Sequence, residues 1–145
     1  MSDTGQDYMR QGERLIAGDA VARQLGLTLI DLAPGRAILT MPVRADMLNF
    51  WQVCHGGMLS TFADIACALA CNAAGELTVG SNLQIDYLAP AREGDVLTTR
   101  ATEVSVAGRT AIYDAVVENQ DGERIALMRA RCRRQKGQAS LADGG

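Results

Sequence analysis

The chain's only histidine opens the run His55-Gly56-Gly57-Met58-Leu59-Ser60-Thr61-Phe62-Ala63-Asp64, and a carboxylate ends it. From Met58 to Cys71 almost every other residue is apolar or small. That pattern predicts a helix from about Gly57 to Ala73, closed near Gly75 and buried around most of its circumference. An ionised carboxylate in such a place costs several kcal/mol unless it is paired or its pKa rises. A raised pKa suits a general base. The alternative is a carboxylate that hydrogen-bonds another element or faces a wet groove.

His55-Gly56-Gly57 stands at the predicted helix start, where the first backbone N–H groups lack intrahelical partners and the helix dipole is positive. Glycine there lets a ligand approach the backbone, and such N–H groups can hold a carbonyl oxygen that becomes an oxyanion. An ordinary tight turn is the structural alternative. Gly56 and Asp64 are eight residues apart, about 12 Å along one helix axis, so they cannot grip one small reacting group. If two copies of the helix run antiparallel across a two-fold axis, Asp64 of one subunit comes beside the Gly56 N–H of the other, twice per dimer.

The elements around this segment are legible from turns and alternation. The chain has 145 residues, 48% of them hydrophobic, enough for one domain with its own core. The spaced apolar residues Leu15, Ile16, Val21 and Leu25 predict a short amphipathic helix ending at Gly26. Segments 27–33 and 36–43 form a predicted hairpin through Pro34-Gly35, followed by a loop over 44–56. Beyond the helix, strands are expected at 81–88, 95–106, 109–119 and 123–134, the last three forming a meander through Ala107-Gly108 and Asp121-Gly122. The domain then spans 1–134, and the small, polar, Gly-rich segment 135–145 is expected to be a flexible tail. Two strands, one apolar helix and four strands make an α+β fold with an antiparallel sheet. A helix apolar nearly all round requires that the sheet curl about it, or that a second subunit cover it.

Composition narrows the chemistry. The net charge is −3, so no positive field draws the chain to nucleic acid or an anionic membrane. Lys136 is the only lysine, which leaves almost no candidate for Schiff-base chemistry. The four cysteines, Cys54, Cys67, Cys71 and Cys132, have no paired metal spacing, and with one histidine no metal site or cofactor is expected. Cys67 and Cys71 read as apolar packing rather than a redox pair. The N-terminus is not a secretory signal and no run reaches membrane-spanning length, which makes a reducing cytoplasm the expected compartment.

Asn49, His55-Gly56-Gly57 and Asp64, together with the following segment IDYLAPAREGD, resemble the hotdog-fold acyl-CoA thioesterases of the phenylacetic-acid-degradation type. The resemblance runs from about residue 20 to 134. It implies a sheet wrapped around one central helix, active sites formed in a homodimer, and a homotetramer of two dimers. It also implies hydrolysis of an acyl-CoA or aryl-acyl-CoA such as phenylacetyl-CoA, with Asp64 as general base or nucleophile. The Gly56 N–H polarises the thioester carbonyl, with Gly57 beside it, and Asn49 orients the water or the thioester. His55 either shapes the carbonyl site or makes a hydrogen bond at the helix start. The hydroxyl that assists the water falls at Ser81, or is missing because Gly80 holds the place.

Phe50 and Trp51 depart from the small residues common after that asparagine, either stacking on an aryl group or packing at an interface. Arg129, Arg131 and Arg133 share one strand face, with Arg109 starting the strand before. They form either a solvated basic face or, with Arg109 foremost, a contact for CoA phosphate. Three rival functions remain distinct. A serine hydrolase lacks its G-x-S-x-G motif. A hotdog hydratase would act on an enoyl-CoA and leave the thioester intact, and a non-catalytic acyl-CoA-binding protein would bind without turnover.

Overall fold

The computed structural model describes residues 3–140. Helices α1 (Asp3–Ala17) and α2 (Ala20–Gln24) lead into the hairpin β1 (Thr28–Ala33) and β2 (Arg36–Pro42). A loop with a short 3-10 turn at Ala45–Met47 reaches the central helix α3 (Gly56–Asn72). Strands β3 (Glu76–Tyr87), β4 (Val96–Ala107), β5 (Thr110–Glu118) and β6 (Arg124–Ala139) follow. All six strands join one antiparallel sheet in the order β1-β2-β4-β5-β6-β3. The sheet curls around α3, the arrangement expected of a hotdog fold.

Strand alternation explains the core. β5 buries Ala111, Tyr113, Ala115 and Val117 on one face, and β2 buries Ala37, Leu39 and Met41. These close on Phe62, Ala63, Ala66, Cys67 and Ala70 of α3. Small residues on the helix let the sheet approach it closely, while Phe62, Leu97 and Ile125 fill the larger gaps.

Three expectations need correction. The single N-terminal helix is two helices, because Asp19 starts a new one by accepting the Ala22 N–H at 3.0 Å. β3 begins at Glu76 rather than residue 81, and the strand passes through a bulge between Gly80 and Asn82. The expected tail from residue 135 is strand through Ala139, because the early start of β3 supplies a partner, with Glu76 opposite Ala139. Ser140 then donates its hydroxyl to the Asn72 carbonyl at 2.8 Å and its N–H to Gly75 at 3.0 Å. Residues 141–145 of the expected tail lie outside the described residues.

Two features of β3 position the site. It is the sheet's edge, paired with β6 on one side only among the described residues. Its helix-side residues Leu83 and Tyr87 remain exposed, at 41% and 52%.

Candidate active site

The loop before α3 is built by its own polar groups. Asn49 Oδ1 accepts the N–H groups of Trp51 (2.9 Å) and Val53 (3.3 Å), while Asn49 N–H donates to the Val53 carbonyl at 2.8 Å. That folds the loop so tightly that Gln52 takes φ +62°, the left-handed region. The Asn49 amide oxygen is thus committed, and its NH2 group is the part left to meet a ligand. Cys54 N–H to the Ala91 carbonyl (2.7 Å) and His55 N–H to the Met47 carbonyl (2.8 Å) fix the last residues before the helix.

His55 is the N-cap of α3, and its Nδ1 accepts the Gly57 N–H at 3.2 Å. Of the two readings of His55, the helix-start hydrogen bond is the one the structure displays. The Gly57 N–H is therefore spent. The Gly56 N–H, at the first helical position, meets no acceptor among the described residues. It borders a cavity of about 370 Å³ lined by Asn49, Gly56, Leu59, Tyr87, Leu88 and Pro90 among others. Asn49 and Gly56 are thus brought together. Phe50 and Trp51 are not part of this lining; their rings pack against each other at a 42° tilt with centroids 4.1 Å apart and are 81% and 72% exposed.

Asp64 lies two turns further along α3, half-buried, and burial raises its pKa above the usual carboxylate value. Its carboxylate has no hydrogen bond or ion pair among the described residues. Directly over it is the β3 bulge, where a Cβ added to Gly80 would lie 4.0 Å from Asp64 Oδ1. Ser81, the extra residue of that bulge, donates its hydroxyl to the Arg131 carbonyl at 3.2 Å. The strand therefore presents bare glycine, not the serine hydroxyl, to the carboxylate.

The arginines separate. Arg129 makes a two-pronged pair with Asp114 at 2.7 and 2.9 Å, which holds the Asp114 carboxyl below its usual range. Arg109 lies exposed in the turn between β4 and β5 and forms no ion pair with the described residues. All four cysteines are free and buried. Burial pushes the Cys54 thiol up to about 11 and Cys67 still higher, so neither is a nucleophile near neutral pH. Among the described residues no cluster of histidine, cysteine, aspartate or glutamate could hold a metal ion. No helix there is long and apolar enough to cross a membrane.

One neighbour of the site escaped the sequence reading, whereas Gly80 was already named as the residue that could stand in the hydroxyl's place. Tyr87 looked like one more apolar residue in the alternation Leu83, Ile85, Tyr87, yet its hydroxyl donates to the Gly56 carbonyl at 2.9 Å. Only its place immediately before Leu88-Ala89-Pro90, where the strand ends, marked it.

Known proteins share this fold. The thioesterase superfamily profile matches residues 52–126. The chain is 42% identical over 116 residues to the acyl-coenzyme A thioesterase PaaI of Escherichia coli K12, covering 80% of this chain and 83% of that one. The solved structure of the E. coli PaaI protein from the phenylacetic acid degradation operon matches with a TM-score of 0.89 at 37% identity, over 94% of this chain and 99% of the other. A hypothetical thioesterase protein of Streptococcus pneumoniae TIGR4, solved with coenzyme A, matches with a TM-score of 0.74 at 26% identity, over 77% and 90% of the two chains. With an open helix N-terminus, an unpaired carboxylate on the same helix and these relatives, the chain belongs to the thioesterase superfamily, among the hotdog-fold acyl-CoA thioesterases of the PaaI-like type.

Proposed function

We propose that the protein hydrolyses an acyl-CoA or aryl-acyl-CoA thioester to the free acid and CoA at sites shared between two protomers. One observation carries this reading: Asp64 is desolvated without a hydrogen-bond or ion-pair partner among the described residues. Structural carboxylates in such places are paired, whereas a base kept unpaired and hard to ionise is poised to take a proton.

The partner group is the Gly56 N–H of a second protomer. The free edge of β3 supplies the geometry, because two such edges can pair antiparallel about a two-fold axis. Asp64 lies under Gly80 and Gly56 lies under Tyr87. Bringing Asp64 of one protomer to Gly56 of the other requires Gly80 opposite Tyr87, which, with Ser81 the extra residue of the bulge, places the axis at Gln84 and sets Leu83 of each protomer opposite Ile85 of the other. The same register covers the exposed Leu83 and Tyr87.

In such a site Asp64 takes a proton from water, and the water oxygen adds to the thioester carbonyl carbon. The carbonyl oxygen gathers negative charge at the Gly56 N–H, where preorganised donors act most strongly. Collapse breaks the carbon–sulfur bond, and the CoA thiolate leaves and takes up a proton. Direct attack by the Asp64 carboxylate, with hydrolysis of the resulting anhydride, is the other route. The Asn49 NH2 orients the water or the thioester, and His55 holds the helix start in shape. Gly57 leaves room beside the carbonyl, and Ser81 borders the site from the bulge. Arg109, exposed and without an ion pair, is the candidate contact for CoA phosphate.

The phenylacetic acid degradation operon of the E. coli relative favours an aryl-acetyl group. We place the enzyme in the cytoplasm, where four free buried thiols stay reduced, as a tetramer of two dimers. The test is Asp64→Asn assayed with the parent protein against a panel of CoA thioesters and one enoyl-CoA. The expected result is hydrolysis by the parent, fastest on an aryl-acyl thioester, and a loss of about 10²–10⁴-fold in the variant. Undiminished turnover removes Asp64 from the chemistry. Binding without turnover by the parent, or hydration of the enoyl-CoA with the thioester intact, replaces the reading by one of its rivals.

A further inference from the structure

Tyr87 and Gly56 occupy one another's space. A Cβ built on Gly56 would lie 2.7 Å from Tyr87 Cζ, 2.9 Å from its hydroxyl oxygen and 3.1 Å from Cε2, distances that real carbon atoms do not adopt. A Cβ on Gly57 meets only His55 Nδ1, at 3.5 Å, an ordinary contact. The two glycines therefore differ in kind. Position 56 is closed to side chains by an aromatic ring of the same protomer, before any ligand arrives.

The hydroxyl of that ring donates to the Gly56 carbonyl at 2.9 Å. On the other side of the residue, the His55 N–H is tied to Met47 and the Cys54 N–H to Ala91. Gly56 is thus held from both directions, and its N–H, the one free donor of the pair, cannot swing without breaking one of these bonds. Catalytic donors have to sit within a few tenths of an ångström of where charge develops. An unrestrained glycine at a helix start would not stay there, since glycine is the most flexible residue. The ring of Tyr87 also lines the cavity beside Gly56.

We infer that Tyr87 is a positioning residue: its hydroxyl and ring fix the Gly56 N–H for the thioester carbonyl and are the reason position 56 is glycine. The inference rests on the reading of Gly56 as the carbonyl-binding donor. Tyr87 acts through Gly56 and takes no proton itself.

The test uses four variants, Tyr87→Phe, Tyr87→Ala, Gly56→Ala and the double variant Gly56→Ala with Tyr87→Ala, assayed on one good CoA thioester beside the parent and Asp64→Asn. Tyr87→Phe keeps the ring and is expected to lower kcat about tenfold, a fraction of the roughly 10²–10³-fold lost with a whole oxyanion donor. Its KM and melting temperature are expected to stay close to the parent's. Gly56→Ala is expected to be nearly inactive, and the double variant to regain at least tenfold over it because the clash is gone. The role is overturned if Tyr87→Phe has the parent's kcat, if its kcat falls only in step with its melting temperature, or if the double variant is no better than Gly56→Ala. The underlying functional reading fails separately, through a parent that does not hydrolyse thioesters or an Asp64→Asn variant that does.

Discussion

At the scale of single residues, Asp64 is held where its charge works against the fold. Burial raises its pKa above the ordinary 3.8, so the folded state binds that proton more tightly than the unfolded chain does. Unfolding then releases a proton in the window between the two values, and stability falls as pH rises through that window. Asp64→Asn is therefore expected to melt higher than the parent at pH 7, the gap closing below about pH 4, where the carboxyl is protonated in both states. Thermal melts across pH check this, and a variant less stable at neutral pH would mean that the carboxylate has a stabilising partner. Activity should follow the opposite course, since in its proposed role as base Asp64 must be ionised: kcat/KM is expected to rise with pH through the elevated Asp64 pKa and to be lost on its acid side. Among core groups, Thr99 is fully buried and its hydroxyl has no hydrogen-bond partner among the described residues. Thr99→Val keeps the shape and removes a desolvated polar group, which should stabilise the protein by about 1 kcal/mol in denaturant titration. Asp64 was legible in the sequence because a charge in an apolar helix conflicts with its surroundings. Tyr87 was not, because a tyrosine in an alternating strand conflicts with nothing, and its bond to Gly56 joins segments 31 residues apart.

At the scale of elements, periodicity and turn dipeptides located the hairpin at Pro34-Gly35, the central helix and the three-strand meander, since each is set by local chemistry. The two ends that pair with each other stayed hidden. Residues 76–80 of β3 and 135–139 of β6 carry little apolar alternation: Thr78, Val79 and Gly80 pair with Arg134, Arg133 and Cys132, and the last stretch of β6 closes with Ala139 opposite Glu76. Asn72 locks this corner: its amide donates to the Thr78 carbonyl at 2.9 Å and accepts the Thr78 N–H at 2.9 Å, while its own carbonyl takes the Ser140 hydroxyl. Ending the chain after Arg134 removes the Ser140 bond and the pairing of Glu76 with Ala139. The loss should amount to about 1–2 kcal/mol, a fall in melting temperature of several degrees. Turnover at saturating substrate is expected to survive, because Gly56 and Asn49 lie at the opposite end of α3. An unchanged melting temperature would show that the extension of β6 contributes nothing to the fold.

At the scale of the whole molecule, the central helix carries the Gly56 N–H at one end and Asp64 two turns on, about 12 Å apart, so on the proposed mechanism one chain supplies halves of two different sites. Mixing subunits separates this arrangement from any site complete within one chain. Take Asp64→Asn and Gly56→Ala, each inactive as a homodimer. In a heterodimer of the two, the proposed shared sites predict that one site carries both lesions and the other carries neither, with Asp64 drawn from one subunit and Gly56 from its partner. Random reassortment of equal amounts makes half of the dimers heterodimers, with one intact site in two, so about a quarter of the parent's turnover should return. Sites complete within one chain would give no recovery at all, since every chain in the mixture bears a lesion. Leu83→Lys gives the matching physical measurement. In the proposed pairing of β3 edges the two lysines flank the two-fold axis and cannot bury their charges opposite Ile85, so sedimentation should show dissociated protomers with intact secondary structure and little hydrolysis. A variant that stays associated and active would place the subunit contact elsewhere and require another route for Asp64 to reach a carbonyl.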